Sequence, residues 1–326
     1  MFMNWIQVQV TKRSVIAERI VYLELEKVDG LALPTFQPGA HIDMRIPNSN
    51  LVRQYSMVND PVDTQRYVFA IQKELHSRGG SDYIYNECKV GQSVWISPPK
   101  NRFQLVDTAP HHILIAGGIG ITPLLSMANY LHRQNQSFIL HYSTRSRNRS
   151  AFYDELSECA FAKQVRFYHD DYQGHIAFNL RMALENIDLK SHVYVCGPAT
   201  LIRAVLAGAK VVGLPIEQVH YEYFSTQGLA TSAQTQPNKA FKLFLARSHK
   251  EVLVEADETI VQALKKEDID VLVSCQEGIC GTCVTQVLEG EVDHRDHYLH
   301  AEEKASHRLM TVCCSRAKGD YLVIDR

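Results

Sequence analysis

A long apolar run is the first thing missing from these 326 residues. None approaches the ~18 consecutive apolar positions that a membrane-crossing helix needs. A surplus of one charge is missing as well: 34 Lys and Arg face 36 Asp and Glu, a formal net charge of −2. No basic excess points to nucleic acid, and no charged block marks a tail. The opening stretch MFMNWIQVQVTKRSV alternates like a strand and lacks the apolar core of an export signal. Internal repeats and low-complexity tracts are absent too. With eight cysteines and no export signal, the expected compartment is the reducing cytoplasm, where clustered cysteines serve metals or redox chemistry. A chain of this length outgrows one core, so two or three domains are expected.

What is present changes character twice along the chain. Up to about residue 105, short segments such as WIQVQV, IVYLELEKV, HIDMRI, LVRQYSMV, RYVFAIQ and SVWIS are separated by Pro, Gly, Asn and Asp. Their spacing predicts an antiparallel barrel. From about 110 to 224, apolar strands (HILIAG, SFILHYS, QVRFYHDD, HVYVCG) alternate with helical stretches (TPLLSMANYLHRQ, AFYDELSECA, PATLIRAVLAGAKVVG). That rhythm predicts a parallel sheet. Residues 225–239, STQGLATSAQTQPNK, carry no large apolar group except Leu229 and read as a linker. Beyond it, FKLFLARS and EVLVEA read as a hairpin and ETIVQALKKE as a short helix.

The spacing Cys275-x4-Cys280-x2-Cys283, with Cys313 and Cys314 about thirty residues on, is the plant-type pattern for a [2Fe–2S] cluster. Such a cluster is an anion of roughly −2 to −3, so backbone N–H groups must aim at its sulfurs. Gly278 and Gly281 give the loop the freedom to coil that tightly. Structural zinc is the competing reading, although zinc sites favour two CxxC or CxxH pairs and only one CxxC is present. Adjacent cysteines on extended chain point in opposite directions, so Cys313 and Cys314 both stand open as fourth ligand at this point. Cys88 and Cys159 lack metal-like spacing and read as core or surface residues.

Arg53-Gln54-Tyr55-Ser56 falls in a predicted strand that presents Arg53 and Tyr55 on one face. A guanidinium beside an aromatic plane suits a flavin, which needs a phosphate partner and a ring neighbour. Downstream, Arg78-Gly79-Gly80-Ser81 precedes a predicted helix whose first amides suit a phosphate. Gly117-Gly118-Ile119-Gly120-Ile121-Thr122-Pro123 follows the strand HILIA. Pro123 occupies the third glycine's place, so the ordinary dinucleotide fingerprint is absent. The stretch still predicts a tight turn into a helix, with Thr122 as N-cap and Pro123 as first helical residue. Cys196-Gly197-Pro198 repeats that logic, which puts both turns at carboxyl ends of strands, where ligands bind.

Taken in order, RQYS, RGGS, GGIGITP, CGP, HYEYF and C-x4-C-x2-C with MTVC resemble phthalate dioxygenase reductase and vanillate demethylase reductase. These are the reductase components of two-component Rieske oxygenases, and the resemblance spans essentially the whole chain. It implies a multidomain α+β protein. An antiparallel FMN-binding β-barrel would cover 1–105 and an α/β parallel-sheet NAD-binding domain 106–226. A linker at 227–238 would lead to a β-grasp plant-type ferredoxin domain at 239–326. By the same resemblance, Arg53, Gln54, Tyr55 and Ser56 hold FMN, with Ser56 near the flavin N5. Ala70, Ile71 and Gln72 line the ring edge, and Gly79, Gly80 and Ser81 take the phosphate. Gly118, Gly120 and Thr122 belong to the nicotinamide turn. Cys196 and Gly197 flank the nicotinamide, Phe224 approaches both rings, and Glu277 faces the flavin from the cluster loop. Ser56, Thr122, Cys196 and Phe224 are the residues expected at the transfer itself. The motif MTVC favours Cys313 as fourth ligand beside Cys275, Cys280 and Cys283.

Two positions depart from the family pattern: Gln72 stands where Lys is frequent, and Ser146 stands where NADH users carry an acid after HYSTR. Arg147 and Arg149 then bring NADPH into consideration beside NADH, because a 2′-phosphate attracts arginine. The implied function is an NADH-oxidising reductase that feeds a Rieske-type oxygenase. The rivals are a reductase serving a di-iron hydroxylase or cytochrome, and a non-catalytic electron carrier. His294-Arg295-Asp296-His297 reads as a solvated turn, with a partner-docking surface as the other reading. None of the 15 histidines is expected to act in catalysis.

Overall fold

Twelve residues of alternating chain open the structure as β1 (Ile6–Ala17), in which Val8 and Val10 point inward between outward-facing glutamines. It joins β2 (Ile20–Lys27), β3 (His41–Arg45), β4 (Val52–Ser56), β5 (Arg66–Gln72) and β6 (Ser93–Ile96). The computed structural model describes residues 4–49, 51–75, 77–171, 180–184, 187–226 and 238–326. It divides into two compact units, Met1–Phe224 and Ser225–Arg326.

The first six strands form one antiparallel sheet in the order β4-β3-β6-β1-β2-β5. It curls until its edges meet, where the Val58 N–H donates to the Val68 carbonyl at 2.9 Å. Leu23, Leu25, Ile42, Met44, Tyr67, Phe69 and Ile71 fill the interior. The short helix α1 (Gly80–Asn86) adds Ile84 to that core. Strand β4 thus lies beside the end of β5 and the start of α1, which places RQYS next to RGGS.

A second, all-parallel sheet consists of β7 (His112–Gly117), β8 (Phe138–Thr144), β9 (Val165–His169), β10 (His192–Gly197) and β11 (Val219–Tyr223). Helices α2 (Ile121–Arg133), α3 (Tyr153–Glu158), α4 (Leu180–Leu184) and α5 (Ala199–Val211) connect these strands. The order β11-β10-β7-β8-β9 reverses direction between β7 and β10. Such a switch point opens a crevice at the carboxyl ends of its strands. Apolar side chains cover both faces, so the strands read as continuous apolar runs rather than alternating ones.

The barrel and the parallel sheet share one core. Ile20, Val58, Val68, Ala70 and Phe103 from the barrel side pack with Leu114, Ala116, Leu140, Tyr194 and Cys196 and with Leu124, Met127 and Ala128 of α2. Each such side chain contributes ~1.5–3 kcal/mol on burial, so the two sheets are held in a fixed arrangement. Ser126 Oγ adds a hydrogen bond to the Asn59 carbonyl at 2.9 Å. The capping expected of Thr122 is not what is found. Helix α2 starts at Ile121 with Gly120 as N-cap, and the Thr122 hydroxyl donates to the Ile119 carbonyl at 3.1 Å. Pro123 sits inside the first turn, where its missing N–H removes no helical bond.

The second unit carries β12 (Phe241–Leu245), β13 (Lys250–Val254), α6 (Ile260–Lys266), β14 (Val284–Glu289), β15 (Val292–Asp293), α7 (Ala301–Ser306), β16 (Leu309–Thr311), β17 (Arg316–Ala317) and β18 (Tyr321–Ile324). Its main sheet runs β13-β12-β18-β14-β16, with β15 and β17 as a separate pair. Helix α6 begins with a capping box between Thr259 and Gln262 and presses Ile260, Ala263 and Leu264 onto the sheet. This is the expected β-grasp fold. Arg316 is buried beneath it and donates to the carbonyls of Lys239 (3.0 Å), Glu255 (2.8 Å) and Glu258. The linker expected at 227–238 lies outside the described residues except for Asn238. Among the described residues no helix is long and apolar enough to cross a membrane.

Candidate flavin, nicotinamide and iron–sulfur sites

Arg53 leaves β4 and lays its side chain along the first turn of α1. A Cβ on Gly80 would stand 2.5 Å from Arg53 Cγ and 2.8 Å from Nε. The guanidinium donates to the carbonyls of Val52 (2.8 Å) and Arg78 (3.3 Å). Gly79 takes a left-handed φ of 95° to start the helix there. A guanidinium, bare glycine backbone and a helix start form a cradle for an anionic phosphate. Ser77 Oγ accepts the N–H groups of Gly79 and Asp82, and Ser81 Oγ accepts that of Glu74. Beside Arg53, the Tyr55 hydroxyl is buried and, among the described residues, has no hydrogen-bond partner. Burial pushes its pKa up. An orphaned buried hydroxyl beside a phosphate cradle fits a flavin, which brings hydrogen-bonding groups of its own. On β5, Ala70 faces the shared core, whereas the Ile71 side chain is sealed inside the barrel. Only the backbone of Ile71 is left to meet a ring edge.

At the switch point the turns after β7 and β10 lie backbone against backbone. A Cβ on Gly120 would fall 2.2 Å from the Cys196 carbonyl oxygen, and one on Gly197 would fall 2.9 Å from Gly117 Cα. This close approach explains Gly117 and Gly120 of GGIG better than a phosphate loop would, while Gly118 has open space around it and a left-handed φ of 55°. Thr122 is buried at the head of α2. Phe224, 38% exposed, follows Tyr223, which pairs with Gly197. The motifs GGIGITP, CGP and EYF are therefore one place.

Two residues there were not singled out from sequence. Glu222 on β11 pairs with Cys196 across the ladder, and His41 on β3 pairs with Ser56. His41 Nδ1 stands 4.0 Å from Glu222 Oε1. The sheets close over His41 and over one oxygen of the half-buried Glu222, and among the described residues neither ring nitrogen of His41, nor Glu222 Oε2, has a hydrogen-bond partner. Burial raises the Glu222 pKa to about 8. Burial lowers that of His41 to about 4, against the pull of Asp43 and with a further push from Lys100. Both are neutral near pH 7. The Cys196 thiol is raised by burial and then by Glu222, so it is no nucleophile. No histidine was expected to act in catalysis, and the structure places one, His41, beside this site. The usable sequence signal was His41 and Asp43 alternating with Ile42 and Met44, a pattern that ordinarily marks a solvent face.

In the second unit, residues 271–283 form an irregular loop with left-handed backbone at Gln276, Gly278 and Gly281. A Cβ on Gly281 would meet the Tyr298 ring at 2.0 Å. The thiols fall into a pair and a group of three: Cys275 donates to Cys280, and Cys313 is hydrogen-bonded to Cys283 and Cys314. The N–H of Cys275 points at Cys280 Sγ (3.4 Å) and that of Glu277 at Cys275 Sγ (3.3 Å). One pair of sulfurs that accepts backbone N–H groups, and a second group in which Cys313 touches both Cys283 and Cys314, suit two irons, each taking two thiolates. Cys313 is buried in the domain core, while Cys314 Sγ lies 3.2 Å from Thr311 Oγ1 and against Gly278. The Glu277 carboxylate accepts from the Thr226 hydroxyl at 2.9 Å.

The turn expected to be solvated at 294–297 is so only in part: His297 is exposed, His294 and Arg295 are half-buried, and Asp296 is buried. Asp296 is 4% exposed and accepts the N–H groups of Tyr298 (3.1 Å) and Leu299 (2.7 Å). His294 Nδ1 stands 3.6 Å from it, and the His297 N–H donates to the Gly278 carbonyl at 2.9 Å. This segment buttresses the cysteine loop from behind. On β8's far turn, Arg147 pairs with Asp154 at 3.1 Å and Arg149 with Glu18 at 2.6 Å.

Comparison with known proteins agrees with this geometry. Residues 243–318 match the family model of the 2Fe-2S iron-sulfur cluster binding domain. Residues 93–219 match that of the dimethylamine monooxygenase subunit DmmA-like N-terminal domain. Vanillate O-demethylase oxidoreductase of Pseudomonas sp. (strain HR199 / DSM 7063) is 40% identical over 320 residues, covering 98% of this chain and 99% of that protein. The carnitine monooxygenase reductase subunit of Escherichia coli (strain K12) is 38% identical over 322 residues, covering 98% of each. A solved phthalate dioxygenase reductase, described as a modular structure for electron transfer from pyridine nucleotides to [2Fe–2S], superposes with TM-score 0.73 at 36% identity. That superposition covers 99% of this chain and 98% of the other. The chain belongs to this family of iron–sulfur oxygenase reductases, oxidoreductases that serve multicomponent oxygenases.

Proposed function

We propose that this protein oxidises NADH and passes the electrons through FMN and a [2Fe–2S] cluster to a separate Rieske-type oxygenase. The observation that carries the reading is the convergence of RQYS, RGGS and the two glycine turns on one unit that also joins barrel to parallel sheet. When bound, FMN accepts two electrons as a hydride and gives them up singly, which matches a one-electron iron–sulfur acceptor.

The chain's own residues supply position and electrostatics. Arg53 and the start of α1 hold the phosphate, and Tyr55 with Ser56 borders the ring. Gly79, Gly80 and Ser81 complete the cradle, while the carbonyl edges of Ala70, Ile71 and Gln72 bound it. Gly118, Gly120, Thr122, Gly197 and Phe224 shape the nicotinamide end, where bare backbone lets a planar ring approach. Neutral Glu222 and neutral Cys196 leave no buried anion beside the transferred hydride. Cys275, Cys280, Cys283 and Cys313 ligate the cluster, and the amides of Cys275 and Glu277 stabilise its charge. Arg147 and Arg149 are engaged by carboxylates, which supports NADH over NADPH. The electron acceptor docks transiently, and such encounters bury modest, polar areas. The protein works in the cytoplasm.

Three measurements test this on the purified full-length holoprotein. Extracted flavin is expected to be FMN, NADH is expected to bleach flavin and cluster, and a Rieske oxygenase encoded beside it is expected to draw the electrons. FAD in the extract would favour a di-iron or cytochrome partner. A cluster that stays oxidised under excess NADH would overturn the reading.

A further inference from the structure

The barrel contributes one titratable side chain to the junction that no role accounts for. His41 sits 3% exposed on β3, with both ring nitrogens unpartnered among the described residues, 4.0 Å from the carboxyl of Glu222. Glu222 comes from the other sheet, and its free oxygen is equally unpartnered. A buried imidazole and a sealed carboxyl oxygen of a half-buried side chain, both without partners and facing each other across an interface, are too costly to be incidental.

Other charges near the pair are accounted for. On His41's own strand, Asp43 is tied to Lys100 Nζ at 2.6 Å, and the backbone of Lys100 exchanges two hydrogen bonds with that of His41. On the sheet side Cys196 pairs with Glu222 and carries an uncharged thiol. The remaining freedom of protonation belongs to His41 and Glu222.

We propose that His41 is a positioning residue that acts through Glu222: the imidazole faces the carboxyl at 4.0 Å across the barrel–sheet junction, close enough for a small closure to join them, and it determines where Glu222 ionises. Neutral imidazole carries one donor and one acceptor nitrogen. It can accept from a protonated carboxyl, or offer N–H to a carboxylate by exchanging tautomers. An aliphatic side chain can do neither. A hydrogen bond to a charged group is about twice as strong as one between neutral groups, so removing the imidazole harms the carboxylate form more. The ionisation of Glu222 then moves up, by about one pH unit. The consequence for the reaction rests on the function proposed above. An ionised Glu222 sets a buried anion beside a group that gains negative charge, which slows hydride acceptance. Glu222's ionisation therefore forms the alkaline limb of flavin reduction, and His41 sets its position.

The test has two readouts. The first is the infrared C=O stretch of the protonated carboxyl, followed from pH 6 to about 10 in full-length protein with and without cofactors, with Glu222→Gln assigning the band. The second is the single-turnover rate of flavin reduction by NADH over the same range. Wild type should lose the band with a midpoint near 8. His41→Leu should raise the midpoint by about one unit, and His41→Gln, which restores a donor and an acceptor, should return it to within a few tenths. The alkaline limb of flavin reduction should follow the band in each variant. An unmoved band and limb in His41→Leu would overturn the proposal, as would a wild type without a band sensitive to Glu222→Gln. Should His41→Leu not fold, the ring 15N resonances of His41 decide: they shift with the same midpoint in wild type and stay still in Glu222→Gln, and indifference to that change overturns the proposal. If the infrared result holds but NADH fails to reduce the flavin, the pair stands and the proposed function falls.

Discussion

Gly120→Ala tests whether the switch point works by backbone contact. The added methyl carbon would lie 2.2 Å from the Cys196 carbonyl oxygen, 2.4 Å from its carbon and 2.8 Å from the Gly197 nitrogen. Ordinary contact needs 3.4 Å or more, and every atom in the way is backbone. The residue's own φ of −62° tolerates alanine, so the damage comes from the collision alone. The turns after β7 and β10 must part by about 1 Å, which in a close-packed interior costs ~1–3 kcal/mol. A displacement of that size between reacting groups slows a positioned transfer by roughly 10²-fold. Two assays on the holoprotein read this. Stopped-flow flavin reduction by NADH should fall by that factor, and the thermal transition of the flavin-bearing unit should drop several degrees. The visible circular dichroism of the iron–sulfur unit should not change. A variant that reduces flavin at the wild-type rate would refute the claim that the two glycine turns position the nicotinamide.

Three further outcomes follow from the same structure. Cys314→Ser should keep the cluster's visible absorbance and Cys313→Ser should lose it, because the buried Cys313 thiol lies against Cys283 and matches the motif's ligand position; the opposite result would reassign the fourth ligand. Arg316→Met leaves three backbone carbonyls without a donor and should destabilise the iron–sulfur unit by roughly 3 kcal/mol, read from loss of the cluster signal in urea; an unchanged midpoint would show the guanidinium is dispensable. Glu222 favours folding in its protonated form, since its folded pKa of about 8 lies above the ordinary 4.5. That contribution is full below pH 4.5 and drains away up to pH 8. Wild type should therefore lose roughly 2–5 kcal/mol relative to Glu222→Gln over that window and run parallel to it above pH 9. His41 has the opposite sign, its contribution fading as pH falls from 6.5 toward 4, and it cancels in that comparison. Parallel urea midpoints for the two proteins from pH 5 to 8 would show that Glu222 is not held protonated.

Most of the architecture was legible because its signals are local. The cysteine spacing specifies a loop whose sulfurs must converge, the switch from alternating strands to strand–helix rhythm marks a change of sheet type, and GGIG marks backbone that comes close to something. The same locality explains the errors. Thr122 reads as a cap by residue type, yet α2 starts two residues earlier, at Ile121, with its first amides beside the second glycine turn. His294 and Asp296 read as a solvated turn because charge ordinarily seeks water, but the fold half-buries His294 and buries Asp296 behind the cysteine loop.

By itself, then, the sequence determined the elements and the cofactor-bearing motifs, since periodicity, glycine and cysteine spacing act over a few residues. Only the tertiary structure decided which motifs share a site, which thiols pair, and that His41 and Glu222 meet. Those depend on contacts between strands far apart in the chain. The protonation of His41 and Glu222 depends on water being excluded from both sides at once, a property of the assembled sheets and of neither strand alone.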